Sequence, residues 1–242
     1  AGFHDNEDCA SEGDEENDNF QHCNPDQLNI GSDEPNEPAL FRKIEMPSDD
    51  ELKSMTRDLD FYQREVVNKA VKFARDIVKA RKKGNKHPDG PLMMVSGGAG
   101  AGKSTVIRVV EKWVQKIVQK EGDSVDHPCV VKAAFTGCAA TNIEASTLHS
   151  AFGFSFSNKH FSLSDKTRDK KRAAMQNLVL VIIDEISMVS ADQLYMLDLR
   201  LQEIKERVGT VFGGVGVMVL GDLMQLKPIQ GRMVFDTPSN PD

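Results

Sequence analysis

The stretch "PLMMVSGGAGAGKST", Pro91 to Thr105, sets an apolar run directly before four glycines and one lysine. From Gly97 it reads G-x-x-x-x-G-K-[ST], the spacing of a phosphate-binding loop in a nucleoside triphosphatase. Small residues let successive backbone N–H groups converge on a polyanionic triphosphate without side chains in the way. The loop that would bind the nucleotide is Gly97, Gly98, Ala99, Gly100, Ala101, Gly102, Lys103, Ser104 and Thr105. Lys103 would reach the β- and γ-phosphates as a point charge, and the Ser104 hydroxyl would ligate the accompanying Mg2+. Apolar residues at Val106, Val109, Val110, Trp113, Val114 and Ile117 follow at helical spacing, so the loop opens a helix.

Further along, short apolar runs alternate with helical patterns. "LMMVS", "PCVVKAAF", "NLVLVIID" and "GVGVMVLGD" read as strands. "DFYQREVVNKAVKFARDIVKARKK", a short segment near "CAATNIEA" and "ADQLYMLDLRLQEIKERVG" read as helices. Such alternation predicts an α/β fold, a parallel sheet with helices on both faces. Two of the strands end in acids. "LVLVIIDE" finishes in Asp184 and Glu185, and adjacent carboxylates at the end of a buried strand are costly unless a cation sits there. In open α/β sheets ligands bind beyond the carboxyl ends of the strands, beside the phosphate loop. Asp184 is therefore expected to hold Mg2+ through its water shell, and Glu185 to orient or deprotonate an attacking water. "VMVLGDLMQLKPI" repeats the pattern, with Gln225 suited to hydrogen-bond a γ-phosphate and lose that bond on hydrolysis.

Charge is unevenly distributed. Residues 1–60 hold 18 acidic and 4 basic residues, net -14 in a chain whose total is -7, so the remainder carries +7. The acidic segment is poor in aromatic and branched residues and cannot bury enough surface to offset the entropy of ordering. Residues 1–55 are expected to be a disordered acidic tail, and 56–242 a single folded domain. His4, Cys9, His22 and Cys23 lack the paired spacing of a zinc site. Four scattered cysteines without a signal-peptide core point to a reducing compartment. Cys129 and Cys138 read as small buried residues. No apolar run approaches the roughly 20 residues needed to cross a bilayer, so the chain is expected to be soluble. "SFSNKHFSLSDKTRDKKRAAMQ", residues 155–176, interrupts the alternation as a polar, basic insertion. Its "KTRDKKR" is compatible with a nuclear-import signal, a DNA-contacting edge or a solvated loop.

The ordered set "SGGAGAGKST", "AAFTGCAATNIEASTLHSAFGF", "VIIDEISMV" and "VLGDLMQLKPI" resembles motifs I, Ia with Ib, II and III of the PIF1-like DNA helicases of superfamily 1B. The likeness runs from about Leu59 to Phe235. It implies a P-loop, RecA-like first motor domain (1A) with the 155–176 segment as its small 1B insertion. The implied cofactors are ATP and Mg2+. It also implies catalytic roles for Lys103, Asp184, Glu185 and Gln225, and metal contacts from Ser104 and Asp184. "LDFYQ" resembles the Q motif, in which Gln63 reads the adenine edge. Thr136, Gly137, Thr147 and His149 match positions that contact single-stranded DNA. The motor activity implied is ATP-driven translocation on single-stranded DNA and unwinding at duplex junctions, 5′ to 3′, by a monomer in the nucleus or mitochondrion. Repair, recombination and telomere maintenance are all compatible with it. The family's second RecA-like domain supplies an arginine worth about 10^3 to 10^5 in rate. The chain ends soon after the third motif, so these 242 residues are expected to hydrolyse ATP poorly and not to unwind alone. The other readings are a DNA-stimulated ATPase without unwinding and a non-catalytic nucleic-acid-binding module. Glu144 and Ala145 stand where the family often has two glycines.

Overall fold

The computed structural model describes residues 46–119, 127–154, 162–228 and 231–236. Five strands, β1 (Leu92–Ser96), β2 (Val130–Ala134), β3 (Ser146–Thr147), β4 (Leu180–Asp184) and β5 (Gly216–Gly221), form one sheet in the order β1-β5-β4-β2-β3. Every pairing is parallel, as the alternation predicts. The four longer strands are those read from the sequence; β3 is two residues long and has no apolar run to announce it.

Strand residues alternate between two cores because successive side chains leave opposite faces of a pleated strand. Leu180 and Ile182 of β4, with Met218 and Leu220 of β5, pack against α2 (Phe61–Lys82) and α3 (Lys103–Val118). Val181, Ile183 and Val217 pack on the other face against α5 (Leu148–Phe152) and α7 (Ala191–Lys205). The remaining helices are α1 (Asp49–Arg57), α4 (Gly137–Asn142) and α6 (Asp165–Ala174), with a 3-10 turn at Ile186–Met188 directly after β4.

Two expectations change. Residues 1–45 of the expected tail, with His4, Cys9, His22 and Cys23, lie outside the described residues, but the proposed boundary at 55 falls inside α1. Ser48 caps that helix, Leu52 is fully buried, Asp49 pairs with Lys116, and Trp113 donates to Thr56 Oγ1 at 2.9 Å. An acidic first turn at a helix N-terminus is stabilising, so acidic composition there marks a helix start and not a tail. Of the two cysteines read as buried, Cys129 is buried and Cys138, in the first turn of α4, is exposed. Phe152 and Phe154 are both core. Within 155–176, residues 155–161 lie outside the described residues and Asp165–Ala174 is helix α6. Among the described residues, no helix is long and apolar enough to cross a membrane.

Candidate functional site

Because all five strands run the same way, the segments leaving their carboxyl ends share one edge of the sheet. The register sets Ser96 opposite Gly221, and Ala134 between Asp184 and Thr147. Across that edge, in strand order, come the phosphate loop, Asp222 and Gln225, Asp184 and Glu185, Thr136 and Gly137, then Thr147 and His149. Segments up to 128 residues apart in sequence are thus made neighbours by topology alone.

The phosphate loop turns through left-handed conformations at Gly100 (φ 76°) and Gly102 (φ 75°), which glycine adopts without a Cβ penalty. Gly102 is also the N-cap of α3, and a Cβ there would come within 2.5 Å of Gln63 Nε2. The first turn of α3 carries the positive end of the helix dipole, and its Thr105 N–H returns to the Gly102 carbonyl at 3.0 Å. Lys103 folds back over the loop, its Nζ donating to the carbonyls of Gly97 (2.8 Å) and Gly98 (3.0 Å). The loop is thereby held in an open turn around an ammonium group.

Gln63 is not presented to a free base edge. Its Oε1 accepts from the Asp60 N–H at 3.0 Å while Asp60 Oδ1 accepts from the Gln63 N–H at 2.8 Å, a capping box at the start of α2. Its Nε2 donates to Ala101 O at 3.0 Å. The side chain fastens α2 to the phosphate loop, a role the Asp60-x-x-Gln63 spacing could have suggested.

Asp184 is 6% exposed and accepts a local bond from the Glu185 N–H at 3.0 Å. Burial pushes its carboxyl above the ordinary aspartate range, against the pull of the Glu185 N–H and the Lys103 ammonium. A carboxylate held out of water with a lysine nearby gains from a divalent cation. Ser104, exposed in the first turn of α3, offers a second hard oxygen ligand, so the donors present fit Mg2+ held largely by phosphate and water. Among the described residues no cluster of three or more acids, histidines or cysteines could hold a metal by itself. Glu185 adopts a left-handed conformation (φ 53°, ψ 49°), a strained setting for a non-glycine residue that turns the chain sharply between β4 and the 3-10 turn.

Asp222, the acid that follows the last strand and to which the sequence assigned no site role, faces the loop: a Cβ on Gly98 would lie 3.9 Å from its Oδ2. Its Oδ1 accepts from the Met224 N–H at 3.0 Å, tightening the turn that carries Gln225. Gln225 is exposed, flanked by Met224 (93% exposed) and Leu226 (70%).

At the other end of the edge, Thr136 Oγ1 accepts from Ala139 N–H (3.2 Å) and Thr147 Oγ1 from Ser150 N–H (3.2 Å), capping α4 and α5. A hydroxyl that accepts a cap bond still has its own proton to donate to a phosphate. Gly137 begins α4, and a Cβ there would meet nothing within 4 Å. The His149 ring lies edge-on to Phe135 (6.1 Å) and Phe154 (6.0 Å), and burial holds its imidazole below the ordinary range, favouring the neutral form. Through this aromatic contact, Thr136 and Thr147 belong to one packed unit. Glu144, in the connection between them, sits at φ 53°.

A family model described as PIF1-like helicase matches residues 63–234. The ATP-dependent DNA helicase PIF1 of Emericella nidulans is 34% identical over 146 residues, covering 58% of this chain and 18% of that protein. A solved structure of Bacteroides sp Pif1 in complex with ADP-AlF4 is 30% identical with a TM-score of 0.50, over 71% of this chain and 34% of that one. The Pif1 helicase of Candida albicans, also solved, is 26% identical with a TM-score of 0.51, over 74% of this chain and 36% of that one. The chain thus spans under a fifth of the curated relative and about a third of the solved chains.

Proposed function

Since the chain belongs to the PIF1-like helicase family, we propose that it is the nucleotide-binding half of a DNA helicase motor, coupling ATP turnover to movement along single-stranded DNA. The observation that carries this reading is the order of groups along the sheet edge, with phosphate loop at one end and capped threonines at the other. Lys103 neutralises the β- and γ-phosphates once they displace the Gly97 and Gly98 carbonyls. Ser104 and Asp184 hold Mg2+, which when bound offsets the triphosphate charge. Glu185 orients the attacking water and Gln225 reports the γ-phosphate, while Gln63, released from Ala101, reaches the adenine edge. Thr136, Gly137, Thr147 and His149 take the strand, hydroxyls and backbone contacting phosphates with little sequence preference.

The folded body from α1 onward is domain 1A, with α6 in its 1B insertion. The exposed Met224 and Leu226 beside Gln225 are apolar surface suited to a second RecA-like domain, which in the family supplies an arginine to the nucleotide. On the family resemblance, movement is 5′ to 3′, the motor is monomeric, and it serves DNA maintenance in the nucleus or mitochondrion.

The test is titration of the chain with a fluorescent ATP analogue and Mg2+, with and without an oligothymidylate, followed by ATP turnover after fusion to a second RecA-like domain of the family. Saturable nucleotide binding lost in Lys103→Ala, and turnover stimulated by the oligonucleotide, are the expected results. A fusion that binds DNA but never turns over ATP would instead make this a non-catalytic module. Turnover that is stimulated by DNA without opening a 5′-tailed fork would make it a translocating ATPase.

A further inference from the structure

Helix α5 carries His149 and follows directly on Thr147, yet it has only five residues. So short a helix cannot hold its own conformation, and its last carbonyls have no partner within it. The N–H groups of Gly153, at φ 65°, and of Phe154 return to the His149 carbonyl. The carbonyls of Ser150, Ala151 and Gly153 are met by two buried cations from other helices. Lys171 of α6 donates to Ala151 O at 2.8 Å and Ser150 O at 3.4 Å; Arg200 of α7 donates to Gly153 O at 3.4 Å. A Cβ on Gly153 would lie 3.1 Å from Lys171 Cε, so the lysine stem lies directly against this turn.

Both cations are out of water, Lys171 at 6% exposure and Arg200 at 3%. Arg200 is paired with Glu203 at 2.5 Å, and the same glutamate accepts from Leu163 N–H at 3.1 Å through its other oxygen. Arg172, one residue beyond Lys171, donates to the Glu203 carbonyl at 3.0 Å. Glu203 offsets the Arg200 charge, while burial, with Arg200 nearby, lowers the Lys171 ammonium to about 8. The arrangement satisfies carbonyls that the short helix leaves without partners, and it also provides a rigid link from α6 and α7 to the segment bearing Thr147 and His149.

We propose that Lys171 and Arg200 are positioning residues that clamp the carbonyl end of α5 and so hold Thr147 and His149 at the strand-binding edge, tying that edge to α6. The proposal rests on the reading of this edge as a nucleic-acid contact. It extends that reading to residues that touch neither nucleotide nor strand, and makes α6 the element through which the insertion acts on the strand.

Lys171→Met, Lys171→Arg and Arg200→Lys, each in the full chain, test this with three readouts: oligothymidylate affinity by fluorescence anisotropy, MgATP-analogue affinity, and the NMR signals of the His149 ring. Lys171→Met and Arg200→Lys are expected to weaken oligothymidylate binding about tenfold and to shift the His149 signals. Nucleotide affinity should stay within about twofold, since three strands, β5, β4 and β2, lie between the phosphate loop and β3. Lys171→Arg, which restores the donors, should recover both. Unmoved His149 signals in Lys171→Met and Arg200→Lys overturn the clamp. So does a parallel loss of nucleotide and DNA affinity, which marks a merely structural role. If the unaltered chain binds no oligothymidylate, the nucleic-acid reading fails, while the His149 signals still decide the clamp.

Discussion

The ammonium of Lys103 lies 2.8 Å from the carbonyl oxygen of Gly97, so the lysine occupies its own loop. A triphosphate entering the loop exchanges carbonyl partners for charged phosphate oxygens, the stronger acceptors. Lys103→Ala is expected to weaken MgATP-analogue binding by about 1.5–3 kcal/mol, roughly 10- to 150-fold, with little change in melting temperature. Isothermal titration and thermal unfolding of the same preparation check both halves.

Asp184 predicts a trade between stability and binding. Its carboxyl is raised by burial, so between the unfolded aspartate value and the folded one the native state holds a proton that the unfolded state has lost. Stability therefore falls as pH rises through that window, and the cost is fully present above it. Asp184→Asn keeps an acceptor for the Glu185 N–H and removes the anion. It should raise stability at neutral pH by about 0.5–2 kcal/mol while losing Mg2+-dependent nucleotide binding. The gain should shrink toward acid pH, which denaturant unfolding at two pH values will show.

Glu144 is one of four non-glycine residues at positive φ among the described residues. The same position departs from the family's frequent glycines, and the departure and the strain are one fact seen twice. Glu144 also repels the buried Glu111 carboxylate. Glu144→Gly should relieve both and stabilise the chain by about 1 kcal/mol, after the entropy of a freer unfolded chain is set against the gain. An unchanged or lower denaturation midpoint would mean the connection between α4 and β3 is not strained.

Glu144 also shows where reading from sequence stops. The four longer strands and the phosphate loop were legible because apolar run length, terminal acids and glycine spacing are local signals. Strand β3 was not, since Ser146 and Thr147 join the sheet only by lying beside β2. Lys171 was not, because in "KTRDKKR" it is chemically indistinguishable from its exposed neighbour Lys170. Its burial follows from where α5 and α7 lie. Gln63 carried two signals at once, a base-reading motif and a capping box, and only the fold shows the second in place. Glu185 and Asp222 were visible as acids, but the left-handed turn of one depends on how closely β4 and β5 end together, and the approach of the other to Gly98 on how closely β1 and β5 do.

The last expectation concerns the pair that joins the nucleotide helix to the strand leading to Thr136. Lys132, midway along β2, meets Glu111 of α3 at 2.8 Å, and both side chains are largely buried. Burial raises the Glu111 carboxyl, and the Lys132 charge and hydrogen bond only partly oppose it. Losing one partner leaves an uncompensated buried charge, whereas losing both leaves apolar surface of similar volume. Lys132→Met alone should cost about 3–5 kcal/mol, and Glu111→Leu with Lys132→Met should be near neutral or stabilising. Denaturant unfolding of the two single variants and the double closes the cycle, and additive losses would show that the ion pair carries no coupling of its own. If the double variant is stable, its MgATP-analogue affinity with and without oligothymidylate becomes the informative quantity. The apolar pair keeps α3 packed on β2 but removes the one charged bond between them, so any change in that ratio belongs to the contact and not to the fold.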